Sequence, residues 1–275
     1  VGSEMCIRDR NMIQPEALLQ QYFGHKAFRA GQKQAIDAIL SGRDVLAVMP
    51  TGAGKSVCYQ ISALLLPGVT IVISPLISLM KDQVEALRQV GIPAAYINSS
   101  ISQEEFYHSM QMLQQGQCRI LYVAPERLMT ESLLRLAQRV QISMIAVDEA
   151  HCVSQWGQDF RQSYLDIPVF MEQLPVRPVC TAFTATATKQ VEADIARILK
   201  LRDPETIHTG FDRKNLFFGV RRPNSKMTEL FHLLKENDGK SGIVYCSTRK
   251  AVEEVCASLC DTGSVSYTHL RAHET

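Results

Sequence analysis

Apolar residues fall along this chain in two rhythms. Short unbroken runs at residues 44–49, 70–74, 94–98, 119–123, 144–148 and 179–184 alternate with longer stretches, at 76–90, 103–115, 131–139 and 189–200, where apolar positions recur three or four apart. The runs have the length of strands, and the spaced stretches read as amphipathic helices. Strands that are apolar at every position are buried on both faces, so the pattern predicts a parallel sheet with helices on either side. Two more helices, at 11–22 and 32–40, precede the first strand. Beyond Gly210 the alternation restarts, with runs at 216–220 and 243–246 and helical stretches at 226–237 and 250–259. This second α/β unit is too short to close a sheet, and its apolar face is expected to be exposed.

Ligands of open parallel sheets bind beyond the carboxyl ends of the strands. The first such end reads Met49, Pro50, Thr51, Gly52, Ala53, Gly54, Lys55, Ser56, followed by a helix expected over 57–66. Strand, glycine loop and helix in that order make a phosphate-binding loop: Gly52 and Gly54 let backbone N–H groups face phosphate oxygens, Lys55 reaches the outer phosphates and Ser56 ligates Mg²⁺. Met49 stands where the general pattern has its first glycine. The strand at 144–148 ends in Asp148, Glu149, Ala150, His151. An acidic pair there suits a nucleotide hydrolase, Asp148 holding Mg²⁺ through water and Glu149 deprotonating the attacking water.

Composition sets limits around this chemistry. The 275 residues are 46% hydrophobic and 21% charged, which fits one or two globular domains with a full core. A net charge of +1 argues neither for nor against nucleic acid. Cys58, Cys118, Cys152, Cys180, Cys246, Cys256 and Cys260 are scattered, as free thiols in a reducing cytoplasm would be. Cys256 and Cys260 lie one helical turn apart without further ligands, which favours packing over zinc. No apolar run approaches the ~20 residues that span a bilayer. The two ends are set apart from fold reasoning: residues 265–275 can be encoded by a string whose reverse complement translates as Val1 to Asp9. They are expected to be sequencing-adapter artefacts at 1–10 and 265–275.

Taken together, the motifs resemble those of superfamily 2 helicases and, within them, the RecQ family. The resemblance runs in order through Phe28–Gln32, the glycine loop, Ser74 to Gln83, Ala124 to Leu128, Asp148 to His151, Phe183 to Ala187 and Ile243 to Arg249. Its most specific stretch is Cys152 to Arg161, which looks like the aromatic-rich loop of RecQ enzymes. The resemblance implies a RecA-like ATP-binding domain over 11–209 and the start of a second RecA-like domain over 210–264. It implies that Gln32 reads the adenine edge, with Arg29 beside it and His25 where the family usually stacks an aromatic ring. Trp156, Phe160 and Arg161 would sense single-stranded DNA and relay it through His151, and Thr184 and Thr186 would couple hydrolysis to domain movement. Ser74, Ser78, Lys81 and Arg127 would contact the DNA backbone.

The resulting expectation is a monomeric, cytoplasmic, ATP- and Mg²⁺-dependent 3′ to 5′ DNA helicase acting on single-stranded and duplex DNA in repair and recombination. Transition-state arginines of the family lie in the second domain, and zinc-binding and winged-helix modules further on, so this stretch is expected to bind ATP without unwinding DNA and to hold no zinc. A non-catalytic ATP-gated DNA-binding module and an RNA helicase of the same superfamily stay open as alternatives.

Overall fold

A computed structural model describes residues 14–157, 159–210 and 216–261. Both stretches read as adapter lie outside them. The chain separates into two compact units, Val1–Asp212 and Arg213–Thr275.

The first unit opens with α1 (Pro15–Phe23) and α2 (Gln32–Leu40), then alternates. In order come β1 (Val45–Val48), α3 (Lys55–Leu65), β2 (Val69–Ile73), α4 (Ile77–Gln89), β3 (Ala94–Ile97), α5 (Gln103–Gln114) and β4 (Ile120–Val123). The unit continues with α6 (Glu131–Ala137), β5 (Ile142–Val147), α7 (Asp166–Glu172), β6 (Val179–Thr184), α8 (Lys189–Ile198) and β7 (Glu205–His208). Every strand pairing is parallel, and the order across the sheet is β3-β4-β2-β5-β6-β1-β7.

The unbroken apolar runs are explained by two cores, one on each face. Along β1, Leu46 feeds one core while Val45 and Ala47 feed the other; on β2, Ile71 and Ile73 oppose Val72, and on β5, Ile145 and Val147 oppose Met144 and Ala146. Helices α1 to α4 cover one face through residues such as Leu19, Ile36, Ile61 and Val84. Helices α5 to α8 cover the other through Leu113, Leu133, Phe170 and Ile195. Each such side chain contributes about 1.5–3 kcal/mol on burial. Local signals fix the helix starts: Ser102 and Glu105 form a reciprocal capping box on α5, and Thr188 caps α8.

The sheet differs from the sequence pattern at two places. β7 was not foreseen because only Ile207 of its residues is buried, so it carries no apolar run. α7 carries Pro168 near its start, which masks a helical pattern although proline is tolerated in a first turn.

The second unit contains α9 (Lys226–Glu236) and α10 (Arg249–Asp261). The runs expected as strands at 216–220 and 243–246 form none. A strand needs a neighbour to satisfy its backbone, and no strand forms among the described residues of this unit. Phe217, Phe218, Val220, Ile243 and Tyr245 are accordingly exposed, as expected for an unclosed apolar face. No helix among the described residues is long and apolar enough to cross a membrane.

Candidate functional site

The site stands on the carboxyl ends of β5, β6 and β1, which are consecutive across the sheet. After β1 the chain enters the glycine loop, where Gly52 and Gly54 take left-handed φ of 82° and 80°. Helix α3 begins at Lys55, two residues earlier than the sequence pattern suggests. Lys55 and Ser56 therefore occupy its first turn, where N–H groups lack intrahelical partners and the helix dipole favours an anion. Met49 is fully buried and has an ordinary φ, so that position needs no glycine. Lys55 Nζ donates to the Met49 carbonyl at 3.2 Å, folded back along the loop.

Gln32 is held against the glycine loop. Its side chain is 3% exposed: Oε1 accepts from the Arg29 N–H at 2.8 Å, and Nε2 donates to the carbonyls of Ala53 and Gly54 at 3.1 and 3.0 Å. Both ends of the amide are engaged by protein, and the Arg29 guanidinium donates to the Gly52 carbonyl. In this structure Gln32 and Arg29 brace the glycine loop, while His25 and Thr51 are exposed.

Across β6 lies the acidic pair. Asp148 continues β5 by donating its N–H to the Ile73 carbonyl at 2.8 Å, and the buried Tyr164 hydroxyl donates to the Asp148 carbonyl at 3.0 Å. Glu149 then turns sharply, with φ 47° and ψ 47°, a left-handed conformation uncommon outside glycine. Burial, reinforced by neighbouring Glu149, pushes the Asp148 carboxyl up to about 6. Glu149 goes the other way, held below its ordinary value chiefly by His151, whose Nδ1 lies 3.3 Å from Glu149 Oε2. The Lys55 charge favours the ionised form of both carboxyls, which puts the loop lysine and the acidic pair within electrostatic reach. Two neighbouring carboxyls are thus driven in opposite directions.

His151 Nδ1 also lies 3.0 Å from Thr184 Oγ1 at the end of β6, and Thr184 in turn donates to the Thr186 carbonyl at 3.0 Å. The Met49 N–H donates to the Thr184 carbonyl at 2.9 Å, so one residue touches both sides of the site.

The donors present suit a hard cation such as Mg²⁺: the Ser56 hydroxyl, and the Asp148 carboxyl, which a nearby cation would return to its ionised form. Among the described residues no three His, Cys, Asp or Glu side chains cluster to hold a metal unaided. Water and phosphate oxygens would complete the coordination.

The remaining candidates line neighbouring strand ends. Ser74 follows β2 and is 1% exposed, its hydroxyl without a partner. Ser78 is exposed and Lys81 half-buried on α4, and Arg127 is half-buried in a short 3-10 turn after β4. Trp156 is 77% exposed and Phe160 is exposed. Arg161 donates to the Pro75 carbonyl at 3.1 Å and pairs with Asp159 at 3.0 Å, which ties the aromatic loop to the segment after β2. Sequence reading missed Tyr164 and Asp194, because each acts through a partner distant in sequence. Asn98, whose Nδ2 is buried and unpaired after β3, sits in an ordinary-looking Asn-Ser-Ser turn and was also passed over.

A family model described as DEAD/DEAH box helicase matches residues 29–194, which include the glycine loop, the acidic pair and the end of β6. The chain belongs to the DEAD/DEAH box helicase family. ATP-dependent DNA helicase RecQ of Bacillus subtilis is 46% identical to this helicase chain over 241 residues, 87% of it and 41% of the relative. The Haemophilus influenzae protein of the same name is 43% identical over 247 residues, 90% of this chain and 40% of the relative. The RecQ resemblance of the motifs therefore holds across most of the chain, and the chain spans about two fifths of the length of these curated relatives. The solved DUF1998 helicase MrfA shares the fold at 18% identity, with a TM-score of 0.65 over 94% of this chain and 42% of that one.

Proposed function

We propose that this chain is the ATP-binding portion of a RecQ-type DNA helicase that couples ATP hydrolysis to 3′ to 5′ movement along single-stranded DNA. The observation that carries the reading is the series Glu149, His151, Thr184. It links a carboxylate kept ionised to the strand end that also holds the glycine loop.

In this reading the first turn of α3 and Lys55 bind the β and γ phosphates, Lys55 leaving the Met49 carbonyl to do so. Ser56 and Asp148 would hold Mg²⁺, which would supply positive charge against the phosphoryl oxygens. Glu149 orients and deprotonates the attacking water, and His151 keeps its carboxylate available. Trp156, Phe160 and Arg161 offer flat faces that stack on any base, as a motor indifferent to sequence requires. Ser74, Ser78, Lys81 and Arg127 follow the DNA backbone. Thr184 and Thr186 pass the state of the nucleotide to the second unit. That unit forms no strand among its described residues, so we expect the chain to bind ATP and not to unwind DNA.

The test is ATP hydrolysis with single-stranded DNA or RNA added, for the parent and Glu149→Gln. Stimulation by DNA that Glu149→Gln abolishes supports the reading. Stimulation by RNA alone overturns the DNA assignment, and nucleotide binding without hydrolysis favours an ATP-gated binding module. Strand separation by this chain alone would refute its inability to unwind.

A further inference from the structure

The root of the aromatic loop is fastened by a residue outside every motif. The Ser154 hydroxyl, fully buried, donates to Asp194 Oδ2 at 2.8 Å and accepts from the Trp156 N–H at 3.2 Å. Asp194 lies on α8 and is itself 7% exposed; its other oxygen accepts from Arg197 at 2.8 Å, on a side chain that is 72% exposed. The Gly157 N–H donates to the Ser154 carbonyl at 2.9 Å, and the turn is so close that a Cβ on Gly157 would collide with the His151 carbonyl. Trp156 is thus presented to solvent on a loop whose direction is set at its base, not by packing of its ring.

A buried hydrogen bond to a carboxylate is directional where apolar packing is not, and it is costly to leave half-made. Helix α8 is also the first element after the Thr184 to Thr186 segment, so the anchor of the loop lies next in the chain to the end of β6. We propose that Asp194 is a positioning residue that sets the attitude of the Trp156 loop through Ser154 and ties it to α8. The inference rests on the reading of that loop as a DNA-contacting surface and extends it to a residue that touches no DNA.

Trp156 is the only tryptophan of the chain, so its fluorescence reports the loop directly in the whole protein. The experiment compares Trp156 anisotropy, single-stranded DNA affinity and thermal melting for the parent, Asp194→Ala, Asp194→Asn and Arg197→Ala. Asp194→Ala should lower the anisotropy and weaken DNA binding about tenfold while the protein remains folded. Asp194→Asn keeps an acceptor for Ser154 and should restore both to within about twofold, and Arg197→Ala should leave both near the parent, since each retains the positioning bond. Should Asp194→Ala fail to fold, Ser154→Ala carries the same expectation. Parent-like anisotropy and DNA affinity in the folded variant would overturn the proposal and leave the bond as a staple of α8. Trp156→Ala separates the two readings: if it binds DNA like the parent, the DNA role of the loop fails, and the anisotropy alone decides whether Asp194 sets the loop.

Discussion

His151 Nδ1 and Thr184 Oγ1 lie 3.0 Å apart, where the acidic turn meets the end of β6. With the Thr184 hydroxyl donating to the Thr186 carbonyl, its oxygen is available to accept from an Nδ1–H, the tautomer that would also serve the Glu149 carboxylate 3.3 Å away. Thr184→Val keeps the shape and removes the acceptor. DNA-stimulated ATPase turnover should fall about tenfold with the ATP KM changed by less than about twofold, and Thr184→Ser should recover it. Unchanged turnover in the valine variant would disconnect β6 from the acidic pair.

The glycine loop yields a contrast between the positions at its two ends, Met49 and Gly54. Gly54→Ala introduces a Cβ at φ 80°, against the Gln32 amide. The strain is worth ~1–2 kcal/mol, and displacement of the loop should abolish the thermal shift given by Mg²⁺ and ATP. Met49→Ala should behave the opposite way, costing about 2–5 kcal/mol of stability through a core cavity while the folded protein still binds nucleotide. A Met49→Ala variant that keeps its stability and loses ATP would refute this division of labour.

Asp148 makes stability depend on pH in a predictable sense. Its folded value is raised from 3.8 to about 6, so the folded state binds the proton more tightly than the unfolded chain. The associated stabilisation is complete below pH 3.8 and is lost as pH rises through about 6. With metal chelated, Asp148→Asn should therefore gain stability relative to the parent between pH 4 and pH 8, by at most roughly 3 kcal/mol. Denaturant titrations at the two pH values measure it, and a gain that does not grow with pH would show that burial does not raise this carboxyl.

Asp44 marks the opposite end of the sheet. Its buried carboxylate pairs with Arg177 at 2.6 Å and accepts from the N–H groups of Cys180 and Arg202 at 2.9 and 2.7 Å. It thereby clamps the starts of β1 and β6 to the approach to β7. Asp44→Ala should cost about 3–5 kcal/mol, seen as a lowered denaturation midpoint, with the ATP KM of the remaining folded protein unchanged.

How much of this was legible in the sequence depends on whether a residue acts locally. The six apolar runs of the first unit announced six strands because burial on both faces leaves an unbroken signature. The glycine loop and the acidic pair could be read because their chemistry is written in adjacent residues. Gln32 stands in a motif legible in the sequence, but its grip on the Ala53 and Gly54 carbonyls depends on how α2 lies against the loop. Ser154 and Asp194, or Tyr164 and Asp148, meet only through tertiary packing, and nothing in their flanks signals a partner. The run at 243–246 shows the converse: its composition suits a strand, yet without a neighbour its apolar side chains remain in solvent.

The place of β1 in the sheet has a consequence for biosynthesis. Its neighbours are β6 and β7, so residues 45–48 wait for partners made more than a hundred residues later. The glycine loop, although translated near the start, gains both neighbours of its strand only after His208 has left the ribosome. Until β6 is made β1 presents two unpaired edges to whatever is nearby, and until β7 is made it presents one. A nascent chain halted before β6 would carry the glycine loop and the acidic pair and still lack both strands that flank β1.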